Sequence, residues 1–489
     1  MLIARASGIV FYGGMDRREF LRNAAFGACA AGSPGWVAGK SAARTATRQI
    51  DLAIDGNQRL GPIPVDFMGV GYEISSVATP GLLSASNRVY VGLVRRLGER
   101  GVIRIGGNTS DYSSFASLAT AVSTPKGTKI NEAGLRDLAG FLDATGWSLI
   151  WGLNLGNGSV DDAVTEARAV AHAAGDRLLA FEIGNEPDLY VHEGHRPRYS
   201  YEQYLAEYRR YKSAVRAALP RVGFAGPDAA AATSWVERFA ADEGHDLRLL
   251  THHYYREGQN PSSTADKLLR PDAKLAAMLD RMRAASRSSG VPYRICETNS
   301  FSGGGRQGVS DTFAAALWAL DYLCVLAWHG ADGVNMETGI NQLDFISSYS
   351  PIGDDQHGYY RAAPEYYGML AFGEACRGER VAVSYDAGAV NLTAYATVDA
   401  DGTTALVIVN KDEGAAAEIR IAAKSEAGIA RVMRLSAPSL DSKSGVTLGG
   451  AAVEQDGRWR SRSEDARVIH GICRMRVPAA SAAIVKLKR

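Results

Sequence analysis

The chain has 489 residues, of which 46% are hydrophobic and 22% are charged, so it can fold around a large core. Its 54 basic and 53 acidic residues give a net charge of +1, without the basic excess that a nucleic-acid-binding protein carries. Beyond the N-terminus no apolar run approaches the ~18 residues of a transmembrane helix. We therefore expect no nucleic-acid partner, no membrane-spanning segment and, at this length, a large domain joined to a smaller one.

Residues 1–46 have the features of an export signal. The paired arginines Arg17 and Arg18 precede Phe-Leu and a run of small residues, as in the twin-arginine signals of bacteria. This predicts a periplasmic or secreted protein that is cleaved within residues 38–46. Two alternatives remain open, a basic amphipathic helix and a lipoprotein signal at Cys29.

Residues 67–378 contain eight short apolar segments that alternate with helical patterns such as 89–100, 202–219 and 273–287. Strands that alternate with helices form a parallel sheet, and eight such units close into a (β/α)₈ barrel. The predicted strands are 67–73, 102–108, 148–154, 181–187, 222–228, 249–255, 293–298 and 333–337.

The segments on either side of the barrel read as β-structure. Residues 379–489 contain short strands separated by turn signals such as Asp-Ala-Asp-Gly at 399–402, which predicts an all-β sandwich domain. Residues 47–66 alternate like a strand with one solvent-facing side. We expect this N-terminal strand to join the C-terminal domain, and the two domains to dock firmly.

Two glutamates end strand-like segments of the predicted barrel, the position where (β/α)₈ enzymes carry their catalytic residues. Glu186 lies in Asn-Glu-Pro at the end of the fourth strand, where Pro187 should favour an extended conformation for it. Glu297 ends the seventh strand, 111 residues later, which leaves room for about three βα units. Each glutamate alone could form a buried salt bridge, but the pair predicts a glycosidase.

Glycoside hydrolysis needs one carboxyl group to protonate the leaving oxygen and a second to attack the sugar or to activate water. We expect Glu186 to be the general acid/base and Glu297 the nucleophile of a retaining enzyme. Asn185, beside the acid/base, can donate a hydrogen bond to the sugar 2-hydroxyl.

Several motifs together resemble one family of clan A glycoside hydrolases, namely family 79, which holds the heparanases and exo-β-glucuronidases. The resemblance covers about residues 67–375 and implies a barrel with a β domain built from the C-terminus and an N-terminal strand. The motifs that carry it are His-His-Tyr-Tyr at 252–255, Cys-Glu-Thr-Asn-Ser at 296–300, Gly-Gly-Gly at 303–305, Arg-Ile-Gly-Gly-Asn at 104–108 and Trp-Gly-Leu-Asn at 151–154.

The resemblance also implies roles for individual residues. Tyr255 would lie beside the nucleophile and His253 would line the catalytic subsite. Gly303 and Gly304 would offer backbone N–H groups to a uronate carboxylate, because glycine lets the backbone approach a ligand. Tyr349 would donate its hydroxyl to the same carboxylate. The alternative for the glycines is a plain turn.

The chain departs from the pattern of mammalian heparanase on the first strand, where Gly71-Tyr72-Glu73 stands in place of Asp-x-Asn. We expect Glu73 and Asn108 to contact the sugar. The chain also lacks a long excisable segment and a dense cluster of basic residues for sulfated polymers. This favours an exo-β-glucuronidase that acts on glucuronides or on glycans with a terminal glucuronic acid. We also expect a monomer.

Alternatives that remain are a heparanase-like endo-β-glucuronidase acting on glycosaminoglycans, a hydrolase of neutral sugars and a glycan-binding barrel without activity. No cofactor or metal is expected, because the adjacent His252 and His253 point to opposite faces of a strand. The cysteines form no zinc-site pattern, and their pairing stays open.

Overall fold

The computed structural model describes residues 47–124, 126–339, 347–355, 357–422 and 428–488. The predicted export signal, residues 1–46, lies outside these ranges. Among the described helices, none combines the length and the apolar character needed to cross a bilayer.

Strand β1 (Thr47–Pro62) precedes the barrel, and eight parallel strands form the barrel wall, as predicted. The predicted strand ends differ from the observed ones by up to four residues. Strand β3 is buried at every position, as expected for a parallel sheet covered on both faces. The barrel strands are β2 (Gly69–Glu73), β3 (Val102–Gly106), β4 (Ser148–Leu153), β5 (Leu178–Ile183), β6 (Ala225–Ala229), β7 (Leu249–Tyr255), β8 (Tyr293–Asn299) and β9 (Gly333–Glu337).

The strand order is β5-β4-β3-β2-β9-β8-β7-β6, and the ring closes between β5 and β6. Closure there is by a bridge between Phe181 and Phe224 and by a hydrogen bond of 3.0 Å from Phe181 N to Gly223 O. The (β/α)₈ barrel expected from the sequence is thereby confirmed. All eight strands run with their C-terminal ends at the same rim, which is called the mouth below.

Among the described residues, eight helices have ten or more residues, and they lie between or after the barrel strands. Several begin at a side chain that accepts a hydrogen bond from the first turn, such as Asn131, Ser159 and Ser200. The helices are α1 (Arg88–Leu97), α2 (Glu132–Thr145), α3 (Val160–Ala174), α4 (Tyr201–Ala218), α5 (Thr233–Glu243), α6 (Ala273–Ser289), α7 (Phe313–Trp328) and α8 (Pro364–Ala375).

The C-terminal strands and β1 form one continuous ten-stranded sheet. A pairing between its strands β14 and β18 joins the sheet back on itself around an apolar core that includes Ile50, Leu52 and Leu406. Strand β1 runs antiparallel to β10 and parallel to β13, which confirms that the N-terminal strand belongs to this domain. The strands are β10 (Glu379–Tyr385), β11 (Leu392–Val398), β12 (Thr404–Asn410), β13 (Ala416–Ala422), β14 (Ile429–Ser436), β15 (Thr447–Leu448), β16 (Glu464–Ile469), β17 (Ile472–Val477) and β18 (Ser481–Leu487).

Polar side chains join the barrel to the β domain. Asp321 on α7 accepts hydrogen bonds from Thr393 and Tyr395 and pairs with the buried Lys411. Arg380 on β10 donates to the carbonyl of Ala327 at the end of α7. Within the junction, Lys411 is therefore paired with an opposite charge, and Arg380 donates to a backbone carbonyl.

The four cysteines of the described residues are buried and unbonded. The Sγ atoms of Cys324 and Cys376 lie 3.8 Å apart, and Cys296 lies within strand β8. Cys296 is fully buried.

Candidate active site

Glu297 lies near the C-terminal end of β8 with 12% of its side chain exposed. Arg104 Nη1 donates to its Oε2 at 2.7 Å, and the Tyr255 hydroxyl donates to its Oε1 at 2.9 Å. Both carboxylate oxygens therefore accept a hydrogen bond from a fixed donor, which fixes the orientation of the carboxylate. The predicted position of Tyr255 beside Glu297 is the observed one.

Glu186 follows β5 by three residues and does not have the extended backbone expected before Pro187. Its φ and ψ are both 49°, in the left-handed region that non-glycine residues rarely adopt. A long-range contact overrides the local preference, because Glu186 N donates to the carbonyl of Asp228 at the end of β6 at 3.0 Å. This turn directs the Glu186 side chain, 13% exposed, into the mouth.

The environment of Glu186 favours its protonated form. Burial raises the pKa of the carboxyl group, the hydrogen bond from His253 opposes that shift, and the negative charge of Glu297 reinforces it. A carboxyl group with a raised pKa can act as an acid near neutral pH. One oxygen of Glu186 lies within 4.8 Å of an oxygen of Glu297.

Arg104 lies at the centre of the site, fully buried inside the barrel. Besides Glu297 it donates to Glu182 at 3.1 Å and to Asp228 at 2.5 Å, and these carboxylates raise its pKa despite burial. Arg104 belongs to a motif named above but was assigned no role from the sequence. Its position as a single charged residue in the apolar strand Val-Ile-Arg-Ile-Gly could have indicated a functional role.

His253 bridges two carboxylates. Its Nδ1 lies 2.8 Å from Glu186 Oε1, and its Nε2 lies 2.7 Å from Asp228 Oδ1. His252 contacts different groups, since its Nε2 lies 3.4 Å from Thr233 Oγ1. Asp228 was not among the predicted site residues, although it too ends a barrel strand.

Asn185 and Asn108 lie side by side next to Glu186. Arg104 donates to Asn185 Oδ1 at 2.9 Å, which directs the amide nitrogen of Asn185 to Asn108 Oδ1 at 3.1 Å. The buried Asp111 fixes the loop, because it accepts hydrogen bonds from Asn185 N at 3.1 Å and from the Tyr190 hydroxyl at 2.7 Å.

Glu73 was expected to contact the sugar, and the structure gives its oxygens partners within the protein. They accept hydrogen bonds from Asn108 N at 3.2 Å, Thr109 N at 2.8 Å and Thr109 Oγ1 at 2.6 Å. Burial, with Glu297 nearby, raises the pKa of Glu73 to about 7. Glu73 therefore holds the loop that carries Asn108, at the edge of the site.

The glycine turn and Tyr349 form one wall of the mouth. Gly303 and Gly304 have φ of 76° and 86°, which suits glycine, and Gly304 O accepts a hydrogen bond from Ser348 N at 2.6 Å. The Tyr349 ring stacks on that of Tyr255 with centroids 6.1 Å apart. The wall therefore reaches Glu297 through a series of contacts. The turn contacts the segment of Tyr349, the Tyr349 ring stacks on Tyr255, and Tyr255 donates to Glu297.

Glu337, the last residue of β9, is a third acidic side chain beside Glu297 and was missing from the predicted site. Only 3% of it is exposed, and burial together with the charges of Glu297 and Glu73 raises its pKa well above the usual value. Burial therefore favours the protonated form of this side chain. Its place at a strand end was the signal that could have identified it.

Two groups of side chains are close enough to share a cation, namely Glu186 with His253 and Glu297, and Glu182 with Asp228 and Cys296. In both groups the carboxylate oxygens already accept hydrogen bonds from Arg104 or His253. Hydrogen bonding to two cationic side chains is thus sufficient to bring these acids together.

Comparisons with known proteins agree with this architecture. Residues 394–484 match the glycosyl hydrolase family 79 C-terminal beta domain. A beta-glucuronidase of Aspergillus niger is 28% identical over 58% of this chain, and the match spans 58% of that protein's length. A beta-glucuronidase of Neurospora crassa is 24% identical over 75% of each chain.

Solved structures show the same fold. A 4-O-α-L-rhamnosyl-β-D-glucuronidase of Fusarium oxysporum superposes over 90% of this chain and all of its own, with a TM-score of 0.72 and 20% identity. An α-L-arabinofuranosidase of Thermotoga maritima superposes over the same share with a TM-score of 0.67 and 14% identity. Together with the family 79 C-terminal beta domain at residues 394–484 and the curated relatives, these findings show that the chain is a glycoside hydrolase with the fold of these enzymes.

Proposed function

We propose that the protein is a retaining exo-β-glucuronidase, which releases terminal β-linked glucuronic acid through a covalent glycosyl-enzyme. The observation that carries the mechanism is the separation of the two carboxylates, with oxygens of Glu186 and Glu297 within 4.8 Å of each other. Retaining glycosidases hold their carboxyl groups ~5–5.5 Å apart, whereas inverting enzymes leave ~6.5–9.5 Å for a water molecule. The names of the two fungal relatives support the choice of a glucuronide substrate.

In the first step, Glu297 attacks the anomeric carbon while Glu186 gives its proton to the glycosidic oxygen, which leaves with the aglycone. Arg104 and Tyr255 donate hydrogen bonds to the two oxygens of Glu297 and fix its direction. The amide of Asn185 has a second N–H group, which we assign to the sugar 2-hydroxyl. In the second step, Glu186, now a carboxylate, takes a proton from water as the water attacks the anomeric carbon, and the bond from that carbon to Glu297 breaks to release the Glu297 carboxylate.

We assign recognition of the uronate to the wall formed by Gly303, Gly304 and Tyr349. Backbone N–H groups and a tyrosine hydroxyl can bind a carboxylate without a cationic side chain. The raised pKa of Glu337 agrees with this assignment, since an ionised acid there would repel the substrate's carboxylate.

The test is hydrolysis of 4-nitrophenyl β-glucuronide and β-glucoside by the wild type, Glu297→Ala and Glu186→Ala. We expect a strong preference for the glucuronide and no turnover by Glu297→Ala. Glu186→Ala should react fast in the first step, because 4-nitrophenolate needs no proton, and should then accumulate the intermediate as a burst. Azide, a nucleophile that needs no general base, should restore its turnover.

Glu166→Gln is the matched control, since Glu166 is a buried glutamate on α3 that accepts from Trp151 Nε1 behind the barrel wall. It should keep wild-type rates. Equal rates on the two substrates would refute the uronate assignment. Activity on a glucuronic-acid-containing polymer but on neither small substrate would indicate an endo-acting enzyme instead.

A further inference from the structure

Three hydrogen-bonded side chains lead from Glu186 into the barrel interior. Glu186 Oε1 and His253 Nδ1 are 2.8 Å apart, and His253 Nε2 and Asp228 Oδ1 are 2.7 Å apart. The other oxygen of Asp228 accepts from Arg104 at 2.5 Å. His253 and Asp228 each have 1% of their side chain exposed, so bulk water does not compete for these bonds.

Both nitrogens of the His253 ring face a carboxyl oxygen. A neutral imidazole has one N–H donor, whereas the imidazolium has two and can donate to both partners at once. Burial alone would lower the pKa of His253, but Asp228 and Glu297 outweigh it and raise the pKa well above its usual value. His253 is therefore an imidazolium at neutral pH, with Asp228 as its fixed counter-ion.

The charges of the buried groups balance in this arrangement. The cations Arg104 and His253 are matched by two anions, Asp228 and Glu297. Burial raises the pKa of Asp228, but Arg104 and His253 reverse that shift and hold it well below the usual range. The pKa of Glu182, raised by burial to about 7, leaves that acid largely protonated in slightly acidic solution.

The backbone reinforces the contact between Glu186 and Asp228. Both have positive φ, 49° and 60°, and Glu186 N donates to the carbonyl of Asp228. Asp228 N in turn donates to Thr251 Oγ1 at 3.0 Å, next to His252 and His253 on β7. Two non-glycine residues in this rare conformation, joined to each other, indicate that the surrounding fold imposes their geometry.

We propose that Asp228 is a positioning residue for the acid/base: through His253 it fixes which oxygen of Glu186 carries the transferable proton. This inference rests on the proposed function. Because the N–H of His253 occupies Oε1, the acidic proton resides on Oε2, which gives it to the leaving oxygen and later receives a proton from water. His253 keeps both of its protons throughout and stabilises the carboxylate formed after the first transfer.

Asp228→Asn tests this, since it removes the counter-ion while keeping the size and an acceptor. His253 should then lose its positive charge, and the Glu186 carboxylate should lose a stabilising cation. The basic limb of the kcat/KM–pH profile should move to higher pH by about one unit, the size of effect expected from a charge at this distance. The charged groups that face Glu186 and contribute to that limb are His253, Glu297, Asp188 and Glu193.

Phenyl β-glucuronide is the suitable substrate, because its poor leaving group makes the rate depend on proton donation. Glu182→Gln is the matched control, since Glu182 and Asp228 both accept a hydrogen bond from Arg104, whereas the bond to His253 Nε2 is made by Asp228. It should leave the basic limb in place. In a His253→Gln background, Asp228→Asn should cause no further shift, because its effect passes through His253.

A basic limb that stays at the wild-type pH in Asp228→Asn, with only the amplitude reduced, would overturn the proposal. So would a shift that persists in the His253→Gln background. If Asp228→Asn does not fold, the ¹⁵N chemical shifts of His253 in the wild type decide, assigned with His253→Gln. Two protonated ring nitrogens at pH 7 are expected, and a neutral ring there would refute the proposal even if glucuronidase activity proved absent.

Discussion

Two buried arginines lie inside the barrel at different levels, and their partners differ in kind. Arg294, the second residue of β8, donates to Asn335 Oδ1 at 2.6 Å and to the carbonyls of Phe67 and Val334 at 3.1 and 2.9 Å. Arg104 donates to three carboxylates and one amide near the mouth. The neutral partners of Arg294 cannot change charge, whereas those of Arg104 can.

The pKa values of the two guanidinium groups follow the same division. Burial lowers the pKa of Arg294, while the surrounding carboxylates raise that of Arg104 despite burial. Arg294 donates to backbone carbonyls that would otherwise be buried without a partner. Arg104 instead forms ion pairs with Glu182, Asp228 and Glu297. The partners of a buried charge, more than its burial, distinguish a structural role from a chemical one.

The largest expected effect is that of Arg104→Met on catalysis. Loss of the donor to Glu297 Oε2 should reduce kcat/KM on 4-nitrophenyl β-glucuronide by roughly 10³-fold, as for other fixed donors in active sites. The carboxylates left without a partner should also destabilise the fold at pH 7 and less at pH 5, where they take up protons. Kinetics and thermal unfolding at both pH values check this. A variant within tenfold of wild type would contradict it.

Arg294→Met should show the opposite pattern. The backbone carbonyls that Arg294 contacts lose their donor, so the free energy of unfolding should fall by roughly 2–4 kcal/mol. The loss should be the same at pH 5 and pH 7, because the hydrogen-bond partners of Arg294 are an amide and backbone carbonyls, which do not titrate. Folded enzyme should keep kcat/KM within about threefold. A 100-fold loss of activity in folded protein would break the comparison.

Tyr255→Phe removes a smaller part of the support for the nucleophile. A hydrogen bond to a charged group contributes about 1.5–3 kcal/mol, so kcat/KM should fall roughly 10- to 100-fold. Thermal stability should change little, because the ring and its stacking on Tyr349 remain. Tyr322→Phe is the control, as its hydroxyl meets Thr298 Oγ1 away from Glu297. Equal activity losses in the two variants would argue against a specific role for Tyr255.

The smallest expected effect is the change of the free energy of unfolding with pH. Burial raises the pKa of Glu73 and that of Glu166 to about 7, above the usual value for a free carboxyl group. The folded state therefore binds these protons more tightly, and each contribution is complete at low pH and lost as pH rises through about 7. Each group should make stability fall by up to about 1.4 kcal/mol per pH unit.

Glu73→Gln and Glu166→Gln should each flatten this fall to a similar extent in denaturant unfolding between pH 5 and pH 8. They should differ in activity, because Glu73 holds the loop of Asn108 at the mouth and Glu166 lies behind the wall. A steeper fall in either variant would show that the sign is wrong.

The sequence was sufficient where the information is local. Strand periodicity placed all eight barrel strands and the N-terminal strand of the β domain, and the two glutamates at strand ends marked the site. It failed where the cause is a distant contact. The left-handed turn at Glu186 depends on the carbonyl of Asp228, and the separation of Arg104 from Arg294 depends on the stagger of the strands around the barrel.

Glu337 shows the same limit in another form. Asn-Met-Glu at the end of the last strand satisfies the same rule that identified Glu297. What separates them is that Glu297 accepts from Arg104 and Tyr255, while Glu337 lies buried beside two other acids. Only the three-dimensional arrangement of donors distinguishes the hydrogen-bonded Glu297 from the buried Glu337.

Among the acids of the mouth, we propose Glu297 as the nucleophile of a β-glucuronidase. A 2-deoxy-2-fluoro-β-glucuronyl fluoride should trap the intermediate, and peptide mapping by mass spectrometry locates the adduct. We expect one sugar per chain, on the peptide that contains Glu297. An adduct on Glu337, Glu73 or Glu186 would refute the assignment of Glu297 as the nucleophile.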